Sequence, residues 1–453
     1  MKKKRFLSLL LSLVMVLSLC LSNASAMNSE ILSSMDVQAK AAMLIDMDTD
    51  YVLYEKNADE QSYPASITKM MTAYLVLKAV DEGKLSLDQV ITAGDTAWQG
   101  LDSSSSNQNI KVGEQMTVEN LLYCLMVASA NEAANILAVA VSGSIEAFVE
   151  EMNSAATELG CTGTHFVNPH GMPDANHYTT ARDLCKIAKA AMSNSTFRKI
   201  VSTQEYYIEP TNMTETRRHF FNTNGLLSNK KYQGYYYEYC IGIKTGSTDD
   251  AGYCLISAAE KDGQTLICVV LGCENPTDES GTVQHLQFSE SKRLFEWGFK
   301  NFTKRTILDT STPIAEVPVT LSTENDYVTV QPAESISSQL PNDVNISDFQ
   351  WVTDLPDSVE APVEAGQVLG TVTVTLDGDS YGTVDLVAVS SVSRSSFLAT
   401  KHSINLFLHS WQFMLIVTLI ALVIIALIVL RIVTIHRRNT YTGRRRYHGK
   451  KRK

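Results

Sequence analysis

Eighteen consecutive residues, Phe413–Leu430, contain one polar side chain, Thr418, and no charge. With Trp411 and Gln412 before it and Arg431 to Val433 after it, the stretch covers residues 411–433. That is enough helix to cross about 30 Å of hydrocarbon. A helix apolar on every side has little use on the surface of a soluble domain, so this segment commits the chain to a membrane. Trp411 suits one interface, and Arg431 can extend its charge to the other. From Arg431 to Lys453 there are ten basic residues and no acid. This bias predicts that the tail, residues 434–453, stays in the cytoplasm. A solvated tail is the favoured reading of that charge. Membrane lipid with anionic headgroups is the partner it would meet if it has one.

The other end carries an export signal. Lys2, Lys3, Lys4 and Arg5 precede the apolar run Phe6–Leu21, and Ala24-Ser25-Ala26 has the small-x-small pattern of a cleavage site. Residues 1–26 therefore read as a signal peptide. Cys20 follows Leu19, which lacks the small side chain that a lipoprotein signal needs before its cysteine. Residues 27–410 are then expected outside the membrane. This part is strongly acidic: apart from the two basic ends, 24 basic residues face all 49 acids. A surface of that sign repels a phosphate backbone, so nucleic acid is excluded as a partner. Seven cysteines remain (Cys124, Cys161, Cys185, Cys240, Cys254, Cys268 and Cys273), several of them in apolar runs, which suits buried thiols. No pair has metal-ligand spacing, and no metal site or cofactor is expected.

Within the exported part the texture changes once. Ala42–Ile45 and Tyr51–Tyr54 flank a turn and predict a hairpin. After Pro64, the residues Ile67, Met70, Met71, Tyr74 and Leu75 recur at helical spacing. Val118–Val141 is a second apolar helical region, broken near Ala128-Ser129. Strands are expected over Ile241–Lys244, Gly252–Ala258 and Gln264–Leu271, then a helix over Phe288–Phe302. These elements make one α+β unit, residues 27–305. Residues 306–395 carry short alternating strands such as Tyr327–Val330 and Val368–Leu376, which predict a small all-β domain. Residues 396–410 are read as a linker to the spanning helix.

Three short patterns fall on a helix start, a helix break and a strand. They are Ser66-Ile67-Thr68-Lys69, Ser129-Ala130-Asn131 and Lys244-Thr245-Gly246. Each alone is weak; Ser-x-x-Lys also occurs at Ser228 and Ser289. Context separates the first. Ser66 and Lys69 lie one turn apart on one face at a helix start, and Lys69 is set among apolar residues, an odd place for a solvated charge. A serine hydroxyl is a weak nucleophile that needs a base, and lysine can serve only if its pKa is depressed. Burial and a second cation, Lys244, would both depress it. Ser129 could relay a proton, Asn131 could hold a substrate amide, and Gly246 would admit a ligand backbone closely. His165, His170 and His177 are further candidates, His170 with the stronger claim to a structural role.

In this order the three patterns resemble the active-site set of the penicillin-interacting serine acyl-enzymes, which include penicillin-binding proteins and class A β-lactamases. Thr164–Met172, His177–Leu184, Asn222–Leu227 and Lys244–Ile256 are similar to stretches of the low-molecular-mass D-alanyl-D-alanine carboxypeptidases. Residues 306–395, especially Ala361-Pro362 and Val368–Thr371, resemble that family's C-terminal β domain. The resemblance implies a serine β-lactamase/DD-peptidase-like catalytic domain and removal of the terminal D-alanine from peptidoglycan peptide stems through an acyl-enzyme on Ser66. It implies β-lactams as covalent inhibitors. It also implies an oxyanion hole from the backbone N–H groups of Ser66 and Ser247, with Lys244 and Thr245 facing the substrate carboxylate. A D,D-endopeptidase or β-lactamase on the same site, or a non-catalytic wall receptor on the same fold, are the alternatives. Two departures stand out. The family often ends in an amphipathic helix, not a spanning one, and Thr223 stands where some relatives carry an arginine for the substrate carboxylate.

Overall fold

The computed structural model describes residues 35–102, 105–279 and 281–445. The expected signal peptide and residues 446–453 of the tail lie outside the described residues. The chain divides into two compact units. One runs to Arg305 and takes in Ser337–Asp348; the other holds Thr306–Ile336 and the residues from Phe349 onward. The part expected as one β domain over 306–395 thus yields residues 337–348 to the first unit.

The first unit begins with the expected hairpin, β1 (Ala41–Asp46) and β2 (Val52–Lys56). The Asp46 carboxylate accepts the N–H groups of Asp48 and Thr49 and so shapes the turn. There follow α1 (Lys69–Asp81), β3 (Val90–Thr92), β4 (Gln115–Thr117), α2 (Val118–Met126), α3 (Asn131–Ser142) and α4 (Ile145–Glu158). After these come α5 (Ala181–Met192), α6 (Ser195–Val201), β5 (Glu205–Ile208) and β6 (Arg218–Phe221). The unit is completed by β7 (Cys240–Thr248), β8 (Gly252–Lys261), β9 (Gln264–Cys273) and α7 (Leu286–Asn301).

The main sheet is antiparallel, in the order β2-β1-β9-β8-β7. Alternation along its strands sends side chains to two cores. Met43, Ile45, Ile256, Ala258, Ile267 and Val269 join the helices α1–α6 on one face. Leu44, Leu255, Leu266 and Val270 meet Phe288, Leu294 and Phe295 of α7 on the other. Leu44 is fully buried, so Leu44→Ala should cost about 2–5 kcal/mol. Helix α1 buries Met70, Met71, Ala73, Val76 and Leu77 and is a central helix. The second apolar helical region is two helices, because the chain reverses between Met126 and Asn131. Thr117 caps α2 by accepting the Asn120 N–H at 3.1 Å.

Strands β10 (Phe302–Leu308) and β13 (Ile336–Pro341) span the junctions of the two units, and β11 (Ala315–Thr320) and β12 (Tyr327–Pro332) lie between them in sequence. With β14 (Gln350–Asp354), β15 (Val359–Glu360), β16 (Val368–Leu376) and β17 (Asp379–Ala388), the second unit builds a six-stranded sheet, β14-β16-β17-β12-β11-β15. Val328, Val330, Val372, Val374 and Leu386 are buried there. Residues read as a linker are largely helical, α8 (Ser396–Leu408). Helix α9 (Trp411–Arg445) follows; it holds a candidate span, Trp411–Arg437, of 27 residues, within which an 18-residue window has a mean hydropathy of 3.4. At 1.5 Å per residue the span is about 40 Å long, enough to cross a bilayer with tilt.

Candidate active site

Residues Ala65–Thr68 form a single 3-10 turn that leads directly into α1, so Ser66 lies in the turn and Lys69 is the first residue of the helix. Ser66 caps nothing. Its Oγ instead lies 2.9 Å from Lys69 Nζ. The lysine is fully buried and touches two further groups: Asn131 Oδ1 at 2.5 Å and the carbonyl oxygen of His170 at 2.8 Å.

Asn131 opens α3 just after the helix break. The preceding turn is held by Ala130 N–H on Cys124 O and Asn131 N–H on Ser106 O, both at 2.9 Å. It fixes Ser129 in the left-handed region, with φ of 64°, and 5% exposed. A serine in that conformation is uncommon and marks a constrained site. The Ser129 hydroxyl has no hydrogen bond among the described residues. Asn131 Nδ2 approaches Met172 Sδ at 3.6 Å.

The third pattern is not at a strand end. Strand β7 continues to Thr248 because β8 pairs with it as far as Gly252, leaving Lys244-Thr245-Gly246 in mid-strand on the sheet edge. Gly246 differs from expectation in what it approaches. A methyl group there would lie 2.9 Å from Pro64 O and 3.1 Å from Ser66 N, so its bare Cα admits the turn that carries Ser66. Gly171, with φ of +91°, is a similar case: a side chain would strike Ala65 O at 1.8 Å. Lys244 is buried and donates to Thr245 O at 3.0 Å, and the Thr245 hydroxyl donates to Thr223 Oγ1 at 2.6 Å. Ser247 is exposed opposite Tyr253 of β8.

Electrostatics favour amines over ammonium ions here. Burial, then the nearby charge of Lys244, holds the Lys69 pKa well below the usual lysine range, with Glu132 pulling weakly the other way. Burial and Lys231 bring Lys244 to about 7. Two of the histidines, His170 and His177, titrate low for the same reason. Burial takes His170 to about 3 and His177 to about 4, so both are neutral. His177 Nδ1 accepts the Val167 N–H at 3.1 Å, which leaves Nε2 to donate to Thr68 Oγ1 at 2.8 Å. His165 bonds Asn176 O and makes no contact with Lys69 or Ser66.

The structure thus joins Ser66, Lys69 and Asn131 by hydrogen bonds and sets β7 against the Ser66 turn. Sequence reasoning missed the His170 carbonyl, the Thr68–His177 support beneath the turn, and Glu132. A backbone carbonyl carries no sequence signal, whereas an acid in the apolar run 131–138 was visible.

Comparisons with known proteins place the chain in a family. Residues 27–275 match the family model described as D-alanyl-D-alanine carboxypeptidase. This chain belongs to that family. Residues 302–394 match the model for the C-terminal domain of penicillin-binding protein 5. The D-alanyl-D-alanine carboxypeptidase DacF of Bacillus subtilis is 31% identical over 87% of this chain and 96% of its own. A D-alanyl-D-alanine carboxypeptidase of Streptomyces sp. K15 is 38% identical over 53% of this chain and 83% of its own. The crystal structure of penicillin-binding protein 5 from Haemophilus influenzae superposes with a TM-score of 0.62 at 30% identity, covering 80% of this chain and 99% of that one. Of the three Ser-x-x-Lys sequences in this family member, Ser66–Lys69 is the one whose lysine is hydrogen-bonded to its serine hydroxyl among the described residues. Lys231 is exposed on a loop, and Lys292, on α7, donates to Tyr236 O.

Proposed function

We propose that this protein is a penicillin-sensitive serine D-alanyl-D-alanine carboxypeptidase of the cell wall, with Ser66 as nucleophile and Lys69 as its base. One observation carries the reading. Of the three contacts of Lys69 Nζ, Asn131 Oδ1 and His170 O can only accept, so they take the two N–H bonds of a neutral amine. The lone pair then faces the third contact, the Ser66 hydroxyl, which can donate. A neutral lysine placed this way is a competent base.

The chemistry follows from these positions. Ser66 Oγ adds to the carbonyl carbon of the penultimate D-alanine while its proton passes to Lys69. The negative oxygen that forms is stabilised by the N–H groups of Ser66 and Ser247. Collapse breaks the C–N bond, and the departing D-alanine amine recovers the proton from Lys69 through the Ser129 hydroxyl. Water then cleaves the ester and regenerates Ser66. Lys244 and Thr245 meet the carboxylate of the leaving D-alanine, and Asn131 orients the acyl side. No metal or cofactor enters the scheme. Helix α9 anchors the enzyme as a single span in membrane lipid, with the catalytic unit outside and the basic tail in the cytoplasm. The stems of peptidoglycan are the substrate, β-lactams are covalent inhibitors, and nucleic acid is no partner.

Mass spectrometry of the protein with a D-Ala-D-Ala pentapeptide should detect an acylated Ser66 and free D-alanine. Uptake of fluorescent penicillin by Ser66→Ala would refute the assignment of the nucleophile.

A further inference from the structure

Glu132 directly follows Asn131 at the start of α3, and its side chain is fully buried. One carboxyl oxygen, Oε1, accepts the N–H groups of Gln108 at 2.7 Å and Ile110 at 3.2 Å. That pins the loop whose Ser106 carbonyl supports the Asn131 amide. The other oxygen, Oε2, has no donor among the described residues. Three residues on, and so on the same helix face, Asn135 is also fully buried. Its Nδ2 donates to Ala97 O and Gln99 O, both at 3.1 Å, while its Oδ1 has no donor. Two buried acceptors without donors thus lie one helical turn apart on the same face of α3.

A carboxylate with a bare oxygen in a dry core is costly, whereas a carboxylic acid supplies the missing donor. We propose that Glu132 is a positioning residue for Lys69: an un-ionised acid that donates its Oε2 proton to Asn135 Oδ1 and so denies Lys69 a counter-ion. The groups facing it agree. Lys69 approaches from α1 and Cys124 from α2, and the Glu114–Arg218 ion pair, at 2.8 Å, acts on that same thiol. Burial raises the Glu132 pKa. An ionised Glu132 would stabilise the ammonium form of Lys69 and weaken it as a base. The inference rests on the reading of Lys69 as the base.

The test uses the full-length protein in detergent and a soluble acyl-D-Ala-D-Ala peptide. Infrared difference spectra of wild type against Glu132→Gln near neutral pH should contain the carbonyl stretch of an un-ionised carboxylic acid. Asn135→Ala removes the acceptor of that proton, so Glu132 ionises and pairs with Lys69. The acid limb of kcat/KM should then move up by about one pH unit. Adding Glu132→Gln to Asn135→Ala should bring the limb back, which loss of packing alone would not do. An unmoved limb in Asn135→Ala, or a wild-type spectrum with only ionised carboxylate at this position, overturns the proposal. If Asn135→Ala does not fold, the infrared comparison decides. Failure of the base assignment is separable: Lys69→Ala would keep acylating while the infrared band persisted.

Discussion

The Thr245 hydroxyl donates to the Thr223 hydroxyl across 2.6 Å, joining the edge strand to the turn between β6 and β7. Asn224, in the same segment, is tied to β7, its Nδ2 donating to Gly242 O at 2.9 Å. Thr223 therefore orients Thr245, where some family members carry a cation instead. Thr223→Val should lower kcat/KM about five-fold, the worth of one hydrogen bond near 1 kcal/mol, chiefly through KM. Thr223→Arg should lower KM for peptides with a free C-terminal carboxylate. Steady-state kinetics on free-acid and amidated peptides check both, and equal effects on the two substrates would count against the assignment.

Lys69→Arg should be nearly as damaging to acylation as Lys69→Ala, by a factor of about 10³ or more. Arginine keeps the charge and a similar reach, but it holds its proton in a protein and cannot act as base. Stopped-flow measurement of penicillin acylation reads this directly. A near-wild-type rate in the arginine variant would reduce Lys69 to an electrostatic part.

Acid should destabilise the first unit through its buried histidines. His170 and His177 are neutral in the folded protein, with pKa values depressed from 6.5 to about 3 and about 4. The unfolded chain binds protons first as pH falls, so their contribution is full above 6.5 and is lost as pH falls toward about 4 and then 3. The thermal midpoint should drop across that window. It should drop less steeply in His177→Gln, which retains a donor for Thr68 but does not titrate. Parallel wild-type and variant curves would contradict this.

Gly246→Ala should impair acylation more than stability. The added methyl meets Pro64 O at 2.9 Å and Ser66 N at 3.1 Å, and the nucleophile turn must give way by a few tenths of an ångström. Misplacing a reacting group on that scale costs on the order of 10²-fold in rate. Penicillin acylation rate and thermal midpoint, measured together, separate the two effects.

Truncation before Trp411 should release a soluble protein that still binds penicillin, since every residue assigned to the chemistry precedes residue 250. The freed protein should keep its rate on a small soluble peptide. Normal folding with lost activity would mean that α9 does more than anchor.

Much of this was legible in the sequence because it is periodic or local. Apolar stretches bounded by turn residues marked β1, β8 and β9 as strands, and the uninterrupted run Phe413–Leu430 marked the candidate span. Ser66 and Lys69 declared themselves as neighbours by lying one turn apart. The break between α2 and α3 showed as polar residues in an apolar run, and its position exposed Ser129 and Asn131.

What the tertiary structure decided is the state of the lysine and the company it keeps. The partners of Lys69, Asn131 and His170, lie 62 and 101 residues further along the chain. One of them contributes a backbone carbonyl, which no side-chain pattern encodes. Lys244 depresses Lys69 because β7 packs against the Ser66 turn, and that approach depends on the missing side chain at Gly246. Glu132 and Asn135 become informative through burial, which leaves each with an unmatched oxygen. Spacing along the chain records which residues share a face, but desolvation and charge coupling depend on which distant segments close around that face.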